Sequence, residues 1–202
     1  RGLGDVYKRQ ARLDAMSDWR PPTESLVLDA EGTVVDRFGP RRVFVPLSEI
    51  PEGVWQVILA AEDQRFFDHV GVDIVGIARA LRANISAGEI TEGGSTITQQ
   101  LIKNLLVGDA PTFARKFDEA VLAWRLERRV SKAEILETYL NYVYLGEGNY
   151  GLEAAAQDYF GVSARSLQVD QAALLAALIP APSRAAPRAN PGVAIELSLI
   201  HI

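Results

Sequence analysis

The chain has 202 residues, of which 48% are hydrophobic and 23% charged, with a formal net charge of −5. That length supports a sizeable core, the composition excludes a disordered polymer, and the acidic balance gives no support for nucleic-acid binding. The absence of cysteine excludes disulfides and thiolate chemistry. No apolar run approaches the roughly 20 residues of a membrane-spanning helix; the longest, residues 172–179, is too short.

Both ends read as foreign. Residues 1–10 (RGLGDVYKRQ) resemble a translated sequencing-library adapter, and residues 197–202 (LSLIHI) resemble the opposite strand of the same transposon end. The native stretch is then expected to be 11–196, a piece of a longer gene, with any upstream membrane anchor not represented. Within it, residues 25–29 and 33–38 are β-prone runs around Glu31-Gly32, which predicts a hairpin. Val54, Val57, Ile58 and Ala61 recur at helical spacing and put Glu62 at the end of a helix with one buried face. A second amphipathic helix is expected over 74–85, with Arg79 and Arg82 on its polar side. Residues 86–94 (SAGEITEGG) have connector composition. Thr96 and Gln99 are spaced as a capping box opening a helix over 96–107. Pro111 opens another over 112–130, and Ser131 with Glu134 caps a helix running to about Tyr142. Two more are expected near 152–159 and 170–179, after which the chain turns proline-rich and leaves the domain. The expected fold class is mainly α with a small N-terminal β-hairpin.

Elimination narrows the chemistry. His69 is the sole histidine of the native stretch, because His201 lies in the C-terminal foreign segment, so a histidine-based metal site is disfavoured. No Ser-x-x-Lys, Lys-Thr-Gly, Gly-x-Ser-x-Gly or lysine-bearing phosphate loop occurs. Carboxylates with basic neighbours remain. Glu62-Asp63 ends an apolar helix, where partial burial suits a general base. Arg115 and Glu119 stand at i and i+4 on one helix face. Either group also reads as an ordinary surface charge or ion pair. Gly93-Gly94 suits close backbone approach to an anion, or simply a turn. Individual residues leave these alternatives open.

In order along the chain, however, five segments closely resemble glycosyltransferase family 51, the peptidoglycan glycosyltransferases. Residues 61–73 (AEDQRFFDHVGVD) carry its EDxxFxxHxG motif, and residues 93–104 (GGSTITQQLIKN) its GGSTITQQ motif. Arg115-Lys116 with Glu119 match RKxxE, and residues 134–141 (EILETYLN) match ILExYLN. Residues 144–146 (YLG), 150–151 (YG) and 159–161 (YFG) complete the series. Departures are C-terminal: Val162 stands where many members have lysine, and Ala185-Ala186-Pro187 where many have Tyr-Asn-Pro.

The resemblance implies a lysozyme-like glycosyltransferase fold, with a large helical lobe and a smaller membrane-facing jaw. It implies a reaction that polymerises lipid II into β-1,4-linked glycan, with inversion and release of polyprenyl pyrophosphate. Glu62 takes the position of the general base and Glu119 that of the second essential carboxylate. Lys103, Arg115 and Lys116 match residues that bind the donor pyrophosphate, where fixed cations stabilise departing negative charge. His69, Ser95, Thr96 and Gln100 match residues lining the sugar and phosphate sites; Asp63, Phe66 and Asn104 shape the site. No cofactor is required, and a divalent cation (magnesium or manganese) at the pyrophosphate is allowed for. The implied partners are lipid II, the growing lipid-linked glycan chain, a bilayer surface and other cell-wall synthesis proteins, with no nucleic acid. The implied location is the outer side of the bacterial cytoplasmic membrane, and moenomycin is an expected inhibitor. The stretch 74–91 corresponds to the jaw, and its apolar residues Ile74, Val75, Ile77 and Leu81 either rest on the bilayer or pack as an ordinary helix face. The expected organisation is a lead-in over 11–52, a glycosyltransferase domain over 53–182, and over 183–196 the start of a linker to a transpeptidase domain. Residues 26–51 resemble the lead-in of class A penicillin-binding proteins. Two rivals stay open: a lysozyme-like hydrolase or lytic transglycosylase, which has no need of pyrophosphate-binding cations, and an inactive interaction module.

Overall fold

The computed structural model describes residues 25–39, 41–88, 93–107, 113–183, 187 and 192. The two terminal segments read as foreign, the connector residues 89–92, the Pro111-Thr112 helix start and most of the proline-rich stretch after 183 lie outside the described residues. The described chain is mainly helical with one two-stranded antiparallel sheet, as the sequence leads one to expect. It divides into two compact units, one containing residues 62–136 and the other 21–61 with 137–202.

In the second of these units, β1 (Ser25–Leu28) pairs with β2 (Val34–Phe38), with an irregularity between Val27 and Leu28. The turn is built by Asp29, whose Oδ1 accepts from the backbone N–H of Glu31 (3.1 Å) and Thr33 (2.7 Å). Gly32 supplies the φ of +86° that the turn requires. α1 (Glu52–Glu62) buries Val54 and Ile58 of the stripe its spacing predicts, leaves Val57 and Ala61 half-buried, and also buries Leu59. α6 (Leu152–Phe160) and α7 (Val169–Leu178) supply most of the remaining core. The apolar run that is too short to cross a membrane is thus explained, since Ala172, Leu175, Ala176 and Leu178 are fully buried in α7. Asn141 ties an extended segment to its helix: its Oδ1 accepts from Val45 N–H at 2.8 Å and its Nδ2 donates to Val45 C=O at 2.9 Å. The side-chain amide there replaces a missing strand partner. Arg42, also buried, lies over the rings of Tyr142 (4.8 Å) and Tyr150 (5.0 Å). Burial lowers its pKa from the ordinary value.

The unit containing residues 62–136 is organised around α3 (Ile97–Ile102), every residue of which is buried except Gln100, which is half-buried. The Thr96–Gln99 capping box is present in both directions. Thr96 Oγ1 also donates to Gly71 C=O at 2.7 Å. After α3 the helix widens into a π turn, Lys103–Val107, where the sequence reading has one α-helix over 96–107. An apolar pattern sampled over five residues does not separate the i→i+4 repeat from the i→i+5 repeat. α4 (Phe113–Glu127) packs against α3, burying Leu122, Ala123 and Leu126. α5 (Lys132–Tyr142) begins at the expected capping box, with Glu134 Oε2 accepting from Ser131 N–H at 2.9 Å. The seven α-helices of the described residues are completed by α2 (Ile74–Ala87), capped by Asp73 and closed by Gly88 at φ +73°. On α2, Ile74, Val75, Ile77 and Leu81 are all exposed, although Gly94 packs closely against Ile77.

Candidate functional site

The site residues that the sequence singles out converge on the segment 95–103 within the unit containing residues 62–136. At the C-terminus of α1, Glu62 is half-buried, and its Oε2 accepts from Gln100 Nε2 at 2.7 Å. The capping box sets the azimuth of α3, and that azimuth aims Gln100 at residue 62. One oxygen of the candidate base therefore has a fixed position.

Ser95 makes the second link. Lys116 Nζ donates to Ser95 Oγ at 2.7 Å and also pairs with Glu119 Oε1. Arg115 Nη1 donates to the other oxygen, Oε2, at 2.9 Å. Glu119 is only 1% exposed, so its charge needs these partners. The helical spacing of i+3 and i+4 brings both cations onto one carboxylate. Lys116 is the more open of the two, 45% exposed at its side chain against 17% for Arg115. The segment bearing Ser95 and Gln100 therefore touches Glu62 directly and reaches Glu119 through Lys116. Lys103 opens the π turn and is half-buried, and Asn104 beside it is exposed.

His69, Asp63, Phe66 and Thr96 sit differently from Gln100 and Lys116. All four are buried, and the polar side-chain atoms of His69, Asp63 and Thr96 are engaged inside the protein. His69 Nε2 lies 3.1 and 3.0 Å from the two Asp63 oxygens. Asp63 Oδ2 also accepts from Ile97 N–H at 3.0 Å, which satisfies an orphan donor at the start of α3. On its other edge, His69 Nδ1 faces Lys132 Nζ at 3.4 Å. An ammonium only donates, so the assignment that satisfies every contact puts the imidazole proton on Nε2 and the lone pair on Nδ1.

Glu127, Lys132 and Thr98 complete this buried network, and sequence reasoning missed all three. Lys132 Nζ pairs with Glu127 Oε2 at 2.8 Å, an ion pair without hydrogen-bond alignment, and Thr98 Oγ1 donates to Glu127 Oε1 at 2.5 Å. The Lys132 ammonium also lies 4.3 Å from the Phe66 ring centroid. One local signal was available: Thr98 is a hydroxyl inside the otherwise apolar buried face of Ile97, Leu101 and Ile102.

Among the described residues, no group of three histidine or acidic side chains is placed to hold a metal ion. No described helix is long and apolar enough to cross a membrane.

Comparison with known proteins agrees with the motif order. The chain is 45% identical over 192 residues to penicillin-binding protein 1A of Aquifex aeolicus (strain VF5), which covers 95% of this chain and 26% of that protein. It is 42% identical over 187 residues to penicillin-binding protein 1A of Neisseria lactamica, covering 92% of this chain and 23% of the relative. The chain thus spans about a quarter of the length of these relatives. A crystal structure of penicillin-binding protein 1A from Haemophilus influenzae aligns with a TM-score of 0.49 at 23% identity, covering 91% of this chain and 18% of that one. Residues 31–199 match the family described as transglycosylase, and the chain belongs to that family.

Proposed function

We propose that this chain is the peptidoglycan glycosyltransferase part of a cell-wall synthase, polymerising lipid II. The observation that carries the reading is two carboxylates tied to one segment, Glu62 through Gln100 and Glu119 through Lys116 and Ser95. Glu62 is half-buried and is held by the neutral amide of Gln100. Glu119 is buried and neutralised by two cations. The first suits proton acceptance, and the second suits holding cations in place.

In this reading Glu62 takes the proton from the 4-hydroxyl of the acceptor sugar as that oxygen bonds to the anomeric carbon of the donor chain. The bond from that carbon to the pyrophosphate oxygen breaks with its electron pair leaving on oxygen, and attack from the opposite face inverts the centre. Negative charge then grows on the leaving group. The cations Arg115 and Lys116, held in place by Glu119 and joined by Lys103, stabilise that charge without reorganisation. Ser95 orients Lys116. His69, Asp63 and Thr96 act as positioning residues, since their polar atoms fix the start of α3 and so the aim of Gln100. No step is derived through a divalent cation. A hydrolase would have no use for the cation pair at Glu119.

The exposed apolar side chains of α2, Ile74, Val75, Leu81 and Ile85, support contact with the bilayer surface that holds a lipid substrate. The expected substrates and partners are therefore lipid II and the lipid-linked glycan at the outer face of the cytoplasmic membrane.

The test is polymerisation of lipid II in detergent by the purified chain. Glu62→Gln removes the base while keeping its size, and a loss of about 10²–10⁴-fold is expected. Arg115→Ala should cost about 10²-fold in turnover if it serves the leaving group. Polymer formation unchanged in Glu62→Gln, or glycan cleavage in place of synthesis, would overturn the assignment.

A further inference from the structure

The end of α4 carries a cationic groove that the glycosyl-transfer reading leaves unused. Trp124, Arg125, Arg128 and Arg129 line a surface cavity of about 380 Å³. The Arg128 guanidinium lies 4.7 Å from the centroid of the Trp124 ring, and Trp124 is 44% exposed. Cations near a helix C-terminus complement its dipole, which accounts for the tolerance of arginine here. It does not account for three arginines around one concavity beside an open indole, in a chain of net charge −5.

The surroundings of the groove are apolar. Phe117 is 70% exposed and precedes Trp124 by seven residues, two helical turns, so it shares that face of α4. Gly71 sits directly on the Trp124 backbone, where a Cβ would meet Trp124 N at 2.5 Å. Its chain neighbour Val70 is 53% exposed. Guanidiniums flanked by exposed aromatic and aliphatic side chains match a bilayer interface, with its phosphate layer above and acyl chains below. A soluble acidic ligand would complement the arginines but not Phe117 and Val70.

We propose that this groove binds the phosphate headgroup of an anionic bilayer phospholipid. The planar guanidiniums of Arg125 and Arg128 take the phosphate oxygens, while Trp124 and Phe117 rest at the acyl boundary. The proposal deepens the membrane-surface part of the functional reading and rests on it.

The experiment is co-flotation of the full 202-residue chain with two kinds of vesicle, pure phosphatidylcholine and an equimolar mixture of phosphatidylcholine and phosphatidylglycerol. Wild type is expected to partition at least about tenfold better onto the anionic vesicles. The double variant Arg125→Glu/Arg128→Glu should lose that preference, with anionic-vesicle binding falling about 30-fold or more and the circular-dichroism melt unchanged. Arg128→Lys keeps the charge but not the planar stack on Trp124, and should fall between the two. Equal binding of wild type to both vesicles, or wild-type behaviour of the double variant, would overturn the proposal. So would displacement from anionic vesicles by inorganic phosphate at constant ionic strength, which would mark a free-anion site. If neither vesicle binds the chain, the membrane-surface reading fails as well, whereas polymerisation in detergent tests the glycosyltransferase reading independently.

Discussion

Replacing Glu127 by glutamine should destabilise the unit containing residues 62–136 more than any exposed charge change there. The carboxylate is 2% exposed at its side chain and pairs with Lys132, itself 22% exposed, at 2.8 Å. Glutamine keeps an oxygen for the Thr98 hydroxyl but removes the charge, leaving the Lys132 ammonium against the Phe66 ring and His69 Nδ1. Stranding one member of a buried pair costs about 3–5 kcal/mol, and residual access of Lys132 to water places the effect near about 3 kcal/mol. For a chain of this size that corresponds to a fall of about 6–12 °C in melting temperature. Urea denaturation followed by circular dichroism gives the free energy directly. The partner variant Lys132→Met provides the control: in the double variant the stranded charge is gone, so at least about 1 kcal/mol of the summed losses should be recovered. A Glu127→Gln melt indistinguishable from wild type, or strictly additive losses, would refute a coupled buried network.

Gly71→Ala should destabilise by about 2 kcal/mol or more in the same urea assay, because its φ of +79° disfavours any side chain and the new Cβ would fall 2.5 Å from Trp124 N. Glu134→Gln should cost about 0.5 kcal/mol near neutral pH, because glutamine keeps the capping oxygen of α5 but not the charge that strengthens its hydrogen bonds from Ser131. The Ser131 side-chain and backbone hydrogen bonds lower the Glu134 pKa below its ordinary 4.5. The extra stability is therefore fully present above that value and is lost as pH falls through the lowered one. Wild-type and Glu134→Gln stabilities, measured against pH, should accordingly converge as pH falls through that lowered value.

Much of the helical framework is local chemistry, and so it is legible in sequence. Both capping boxes, Thr96–Gln99 and Ser131–Glu134, close over three residues, and short-range geometry suffices to recognise them. The buried stripe of α1 and the Asp29–Gly32 turn follow from spacing and from the conformational freedom of glycine. The Arg115–Glu119 pair is likewise a consequence of four-residue helical spacing. The ordered motifs identify the family without any coordinates.

Tertiary structure alone decided which of the motif residues face outward and which serve as internal struts. His69 and Thr96 sit in the same motif strings as Glu62 and Gln100, yet they are buried, because Asp63 and the Gly71 carbonyl use up their polar atoms. The contacts that fix this lie 38 residues apart for Glu62 with Gln100, 34 for Asp63 with Ile97 and 63 for His69 with Lys132. No periodicity reports such separations. Each contact forms only after the loop between its ends has closed, and it persists because a buried polar group without its distant partner is costly.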